Sequence, residues 1–164
     1  MTTAYYHSSI GPICIESEHD RITALYLDKQ ASLTKAMPVL YHDSLIQQAF
    51  SQLDEYFSGN RFAFDLPLAP KGTEFQKRVW DALLNIPYGK TCSYGDIAGQ
   101  IGQPQASRAV GGACHRNPIM IIIPCHRVVG ANGSMGGFGA GLFVKESLLD
   151  LEAHHVIHSE SSFR

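Results

Sequence analysis

The sequence predicts an α+β protein in two parts, and three observations carry that reading. Residues Thr3 to Leu27 alternate polar and apolar in short runs, broken at Ser9-Ile10-Gly11-Pro12 and at Glu18-His19-Asp20, as antiparallel strands joined by turns do. Later segments place apolar residues at helical spacing instead. Between the two styles lies Leu66-Pro67-Leu68-Ala69-Pro70-Lys71-Gly72, with two prolines, one glycine and no periodicity. That stretch divides the chain into 1–70 and 71–164.

In the first part, Tyr5-Tyr6, Ile13-Cys14-Ile15 and Ile22 to Leu27 are the strand cores. Leu45, Ile46, Ala49, Phe50, Leu53, Tyr56 and Phe57 then fall on one face of a helix from Ser44 to Phe57. Asp43 or Ser44 caps it and Ser58-Gly59-Asn60 stops it. Arg61 to Leu66 alternates again and reads as one more extended segment. No chemical constellation appears here, and Asp54-Glu55 reads as a solvated face.

The second part opens on Thr73-Glu74-Phe75-Gln76, which has the form of a capping box, followed by a helix with Phe75, Val79, Trp80, Leu83 and Leu84 on its apolar stripe. Ile86-Pro87-Tyr88-Gly89 turns the chain. Ser93 to Ile101, a turn with Gly102 and Pro104, and Gln105 to Cys114 outline a helix-turn-helix. Its second helix is built of Ala106, Ser107, Ala109, Gly111, Gly112 and Ala113, with Arg108 as its one long cation. Small residues let a backbone approach another surface closely, although a tightly packed core helix would look the same. After His115-Arg116-Asn117-Pro118, the run Ile119 to Ile123 reads as a buried strand that Pro124 ends. Gly130 to Gly141 is too rich in glycine for either regular structure and reads as a loop able to wrap a flat ligand. Lys145 to Glu152 forms a last short helix, and the polar tail beyond Ala153 is expected to be mobile.

Composition excludes several classes of protein. The chain has 164 residues, 45% apolar and 17% charged, which suits a folded core and not a disordered chain. It has no apolar run long enough to span a bilayer and no signal-peptide pattern, so a soluble, cytoplasmic protein is expected, with a monomer as the default. Cys14, Cys92, Cys114 and Cys125 have neither C-x-x-C pairing nor regular spacing, so reduced thiols are expected, with no metal and no cofactor. Through Pro70 the chain carries 4 basic and 8 acidic side chains, and from Lys71 onward 9 and 7. An anionic partner would therefore meet the second part.

The chemistry concentrates at Pro124-Cys125-His126-Arg127-Val128. Only a thiolate is a good nucleophile, and a cation or base beside Cys125 would help to form it. On an extended backbone His126 points away from the sulfur, so it would act through a water. A carboxylate on the other ring nitrogen would orient it. Glu146, Asp150 and Glu152 on the last helix are the candidates, and Glu152 is preferred.

Ile123-Pro124-Cys125-His126-Arg127-Val128, preceded by Asn117-Pro118 and by Ser107-Arg108-Ala109-Val110-Gly111-Gly112-Ala113, resembles the signature of the O6-alkylguanine-DNA alkyltransferases. The resemblance runs from about Thr73 to Glu152 and is looser before that. It implies a ribonuclease-like N-terminal α/β domain and a mainly helical C-terminal domain with a winged helix-turn-helix. It also implies double-stranded DNA as partner and a single-turnover transfer of an alkyl group from guanine O6 to Cys125. His126 would be the water-mediated base, held by Glu152, and Asn117 would brace the turn. Tyr94 would rotate the nucleotide and protonate the leaving guanine, while Arg108 would enter the base stack. Ser93, Tyr94, Ala106, Ser107, Ala109 and Gly111 would meet DNA in the minor groove. The carbonyls of Cys125 and Val128, the amide of Gly139 and Phe138 would form the base pocket. Phe138 stands where the family often has Tyr, Ser147 where a larger residue is common, and the Cys/His set that binds zinc in some relatives is missing.

Three rivals stand beside this reading. A lesion sensor would bind without transfer, but such proteins replace the cysteine. A regulator would need base-reading side chains on the second helix, which Ala and Gly do not supply. A cysteine hydrolase would need an oxyanion hole.

Overall fold

The alternation at the N-terminus folds into a three-stranded antiparallel meander, β1 (Thr2–Ser8), β2 (Gly11–Glu18) and β3 (Arg21–Leu27), in the order β1-β2-β3. This is a computed structural model of the chain, and it describes residues 1–30, 43–136, 138 and 140–161, with side chains to 157. Cross-strand register pairs Ala4 with Ile15 and Ile15 with Leu25, and all three are fully buried. That face packs on α1 (Ser44–Phe57), where Ile46, Leu53 and Tyr56 are also fully buried. Each such side chain contributes about 1.5–3 kcal/mol through burial. Asp43 caps α1 by accepting from the amides of Leu45 and Ile46 at 2.9 and 3.2 Å.

Arg61 to Leu66 does not form the expected extended segment. Gln52 instead holds Asp65 through both backbone groups, donating to its carbonyl at 3.0 Å and accepting from its amide at 2.8 Å. The chain regains pairing only at Leu68, in a parallel bridge to Ile22. Local alternation cannot make a strand where a buried side-chain amide already takes the backbone bonds.

The chain divides into two compact units, Met1–Lys71 and Gly72–Arg164. In the second, Thr73 and Gln76 close the capping box of α2 (Glu74–Leu83). A two-residue strand β4 (Cys92–Ser93) leads into α3 (Tyr94–Gln100), which Ser93 and Asp96 cap reciprocally. A turn with Gly102 at φ +77° joins α3 to α4 (Ser107–His115), so the helix-turn-helix outline is present. Trp80 is buried and donates its indole N–H to the carbonyl of Ala113 at 2.9 Å, tying α2 to α4. Beyond the cysteine segment, β5 (Val128–Val129) pairs in parallel with β4. The chain closes with α5 (Leu142–Ser161).

Two expectations change in this unit. The helix α5 starts before Lys145 and runs past Ala153 to Ser161. Its buried residues Val144, Lys145, Leu148 and Glu152 lie on one face, and Tyr88 anchors the C-terminal half by a 3.3 Å contact from its hydroxyl to His155 Nδ1. The run Ile119 to Ile123 is buried but is not a strand. Ile121 adopts φ +71°, and local bonds from Ile122 to Met120 and from Ile123 to Ile119 fold the run into consecutive turns. No described helix is long and apolar enough to cross a membrane.

Candidate active site

The turns before Cys125 are held by one side chain. Asn117 accepts from the Ile119 amide at 3.0 Å and donates to the Ile123 carbonyl at 2.8 Å, so it closes the loop at both ends. Its amide nitrogen also donates to Cys125 Sγ at 3.1 Å. A β-branched residue at positive φ is strained by about 1–3 kcal/mol, and Ile121 is held there by this staple and by its burial. Asn117 thus braces the turn and touches the sulfur.

Cys125 begins a short 3-10 helix, Cys125–Arg127. It is 4% exposed, and burial pushes its thiol up to about 11, against the opposing pull of the Asn117 hydrogen bond and the Lys145 ammonium. A cation does favour the thiolate, but it is Lys145 and not His126 or Arg127, and desolvation outweighs it together with the hydrogen bonds. At neutral pH Cys125 rests as a thiol. The basic side chains beside it in sequence, His126 and Arg127, are bonded to Glu152 instead.

His126 is fully buried, and burial pushes its imidazole down, so the ring is neutral at pH 7. Its Nε2 lies 2.6 Å from Glu152 Oε2. A carboxylate can only accept, so Nε2 carries the proton and Nδ1 is left as an acceptor. Nδ1 is buried and has no hydrogen-bond partner among the described residues. Neither ring nitrogen of His126 is hydrogen-bonded to Cys125 Sγ, and the two residues lie in a 3-10 helix and not on an extended strand.

Glu152, and neither Glu146 nor Asp150, is the carboxylate. It accepts from Arg127 Nε at 2.8 Å, from Arg127 Nη2 at 3.1 Å and from the Gly89 amide at 3.1 Å, besides His126. Burial works against its ionisation, but the bonds from His126 and Arg127 hold its carboxyl well below the usual range. Arg127 also donates to the Ile86 carbonyl at 2.8 Å and lies over the Tyr88 ring. Gly89 is required here. Its φ is +76°, and a Cβ would stand 2.5 Å from Val156.

Lys145 escaped the sequence reading. It is fully buried, donates to the Val128 carbonyl at 2.6 Å and to the Met135 carbonyl, and lies over the Tyr94 ring at 5.9 Å. Burial pushes its ammonium down, while the nearby thiols of Cys125 and Cys114 pull it up. The available signal was its spacing from Leu148 and Glu152, which puts a lysine on the buried face of α5. The Val128 carbonyl expected to face a base already accepts from Lys145, and the Cys125 carbonyl accepts from the Val128 amide. Each keeps a second lone pair.

Tyr94, at the start of α3, lies between Gly111 and Gly136: a Cβ on the first would stand 3.8 Å from its ring, and on the second 2.5 Å from its hydroxyl. Burial pushes its hydroxyl up, so it holds its proton at neutral pH. Arg108 and Ala109 are exposed on α4, with Ala106, Ser107 and Gly111 half-buried, and Ser93 is half-buried as the cap of α3. Phe138 is half-buried, and Gly139 lies outside the described residues. Among the described residues no group of His, Cys, Asp or Glu is arranged to hold a metal.

A three-stranded meander packed on one helix, a second unit built around a helix-turn-helix, and a buried thiol followed by a histidine–carboxylate–arginine network define a cysteine-centred class of protein with a helix-turn-helix outline. The chain belongs to the 6-O-methylguanine DNA methyltransferase family. Residues 1–70 match the ribonuclease-like domain of that family and residues 74–154 its DNA binding domain. The chain is 46% identical to a methylated-DNA–protein-cysteine methyltransferase of Methanosarcina acetivorans, covering 93% of this chain and 98% of that one. To the protein of the same name from Mycobacterium leprae it is 48% identical, covering 95% and 94%. Among solved structures it is similar to Mycobacterium tuberculosis OGT in complex with DNA, with a TM-score of 0.82, 46% identity and 93% of each chain covered.

Proposed function

We propose that this protein repairs DNA by direct reversal, taking a methyl or other alkyl group from O6-alkylguanine in double-stranded DNA onto Cys125, once per molecule. Cys125 carries the reading, as a buried thiol held by Asn117 at 3.1 Å. A base inside a duplex is out of its reach, so the nucleotide must first be flipped at a cost of a few kcal/mol. Arg108, exposed on a helix of small residues, fills the gap, and Tyr94 crowds the rotated nucleotide.

In the closed site the thiol proton leaves through a water to the free Nδ1 of His126. Sγ attacks the alkyl carbon, the carbon–sulfur bond forms as the carbon–O6 bond breaks, and the electron pair leaves with the guanine. The Tyr94 hydroxyl gives the guanine anion a proton, and the imidazolium reprotonates the Tyr94 phenolate through water. Glu152 stabilises the imidazolium while it exists. The thioether has no leaving path, so the protein is spent. Residues 1–70 support the second unit, which binds DNA and transfers the group. The protein acts as a monomer and needs no cofactor.

The test is intact mass spectrometry after incubation with duplex DNA carrying O6-methylguanine. One added methyl group per molecule, on Cys125, is expected, and none in Cys125→Ser. Lesion binding without any mass change would favour a sensor, and continued turnover would overturn the single-use mechanism.

A further inference from the structure

The turn Ile86-Pro87-Tyr88-Gly89 does more than end α2, because three of its four residues reach the Arg127–Glu152 pair. The Ile86 carbonyl accepts from Arg127 Nη1 at 2.8 Å, and the Gly89 amide donates to Glu152 Oε1 at 3.1 Å. Between them the Tyr88 ring lies 5.6 Å from the carbon of the Arg127 guanidinium, within the range of a cation–π contact. Lys90 closes the turn by donating its amide to the Pro87 carbonyl at 3.1 Å, and Gly89 supplies the positive φ. Tyr88 is buried and tied to α5, where its hydroxyl meets His155 Nδ1 at 3.3 Å. His155 stands three residues beyond Glu152, so both face this turn. Burial and the Glu152 charge push the Tyr88 hydroxyl up to about 12, so the ring meets the guanidinium uncharged. Just beyond the turn, β4 pairs with β5, the strand that follows Arg127, so the chain stays beside the cysteine segment.

Resting on the DNA-repair reading above, we propose that this turn is a positioning element for the transfer, and that Tyr88 is the residue that holds Arg127 on Glu152 and so keeps His126 ready to take the thiol proton. The balance of charge around the ring gives the reason. The charged groups that face His126 are Glu152 and Lys145 from α5 and Arg127 from its own segment. Glu152 favours the imidazolium, and the two cations oppose it. A guanidinium fixed on the carboxylate therefore offsets part of its pull, and the ring stays neutral, with Nδ1 able to accept, until the thiol proton arrives. Arg127 does this only while it is held in place. Its hydrogen bonds use Nε, Nη1 and Nη2, and the Tyr88 ring adds a contact that needs none of them. Tyr88 thus acts through Arg127 and is a positioning residue.

Two readouts separate this role from plain support of the fold. The single-turnover transfer rate from duplex DNA carrying O6-methylguanine is followed across the acid and neutral range at saturating protein, and the His126 ring is titrated by NMR on protein labelled in its histidine nitrogens. Both are measured for the full chain, Tyr88→Leu and Tyr88→Phe. In Tyr88→Leu the guanidinium loses its hold, its opposition to the imidazolium weakens, and His126 takes a proton at higher pH. The acid limb of the rate and the NMR midpoint should both move up by about half a pH unit or more, which is about a threefold gain in proton affinity. Tyr88→Phe keeps the ring and loses only the hydroxyl, so both should stay at the parent position. A turn that merely supported the fold would lower the denaturant midpoint of Tyr88→Leu and leave both titrations unmoved. That result, or an equal shift in Tyr88→Phe, would overturn the proposal. Should Tyr88→Leu fail to fold, Tyr88→Met fills the place without a ring and carries the same expectations. Failure of the parent protein to accept a methyl group would instead defeat the repair reading, while the NMR titration, which needs no transfer, would still decide the hold on Arg127.

Discussion

The two units treat buried polarity in opposite ways. In Met1–Lys71 the buried polar side chains among the described residues are Ser17 and Gln52, and ion pairs such as Arg61–Glu55 stay at the surface. In Gly72–Arg164 they are His126, Arg127, Lys145 and Glu152, all of them ionisable. A core assembled for stability alone gains little from such groups, because desolvation cancels most of their attraction. Their presence beside Cys125 marks the second unit as the one where folding energy is diverted to holding protons and charges at fixed atoms.

The comparison can be broken first at its carboxylates. Glu152→Ala leaves Arg127 and neutral His126 buried without their partner, and should cost about 3–5 kcal/mol in denaturant unfolding and abolish useful transfer. Glu55→Ala, in an exposed pair, should change stability by less than about 1 kcal/mol and leave transfer intact. If both substitutions cost the same, the burial contrast has no energetic meaning.

A smaller contrast sets Lys145 against Gln52. Each makes two hydrogen bonds to backbone groups from a buried place, Lys145 on two residues and Gln52 on one, and removing either should cost about 1–3 kcal/mol. Their effects on chemistry should differ. Lys145→Met removes the cation near Cys125 and frees the Val128 and Met135 carbonyls, so the single-turnover rate at saturating protein should fall. Gln52→Ala should leave that rate unchanged, and a matching loss there would mean that the first unit tunes the thiol.

The smallest effect expected is the pH profile of stability, followed by the denaturant midpoint. Folding pushes His126 below its ordinary value near 6.5 and Glu152 below its ordinary value near 4.5. Below those values the unfolded chain binds more protons than the folded one, so stability should decline as pH falls under about 6.5 and more steeply under about 4.5. Cys125 shifts the other way, from 9.0 to about 11, so above pH 9 the unfolded chain loses its proton first and stability should decline again. A plateau between these limits is expected; burial pushes Cys114 up in the same sense, to about 12, so Cys125→Ser should flatten the alkaline arm in part and leave the acid arm unchanged.

Much of this was legible beforehand where residues act locally. Helix α1 runs from Ser44 to Phe57 as the apolar spacing required, and the caps at Asp43 and Thr73 follow from side chains three residues or fewer from the amides they bind. The strand expected at Ile119 to Ile123 failed because β-branched composition cannot register a side chain that competes for the backbone, and Asn117 does so from outside the run. Lys145 was passed over for a similar reason. A lysine is read as solvated unless the residues packed around it are known.

The sequence by itself determined the antiparallel start of the chain, helices α1 and α2, the two-part division of its patterning and the helix-turn-helix, and it singled out Cys125, because spacing, capping and turn chemistry are properties of neighbouring residues. Only the tertiary structure decided the state of that cysteine and the partners of its neighbours. Burial raises the thiol, Glu152 collects His126, Arg127 and the Gly89 amide from distant parts of the chain, and Lys145 enters the core. Desolvation depends on everything packed around a group, and no local pattern contains that information.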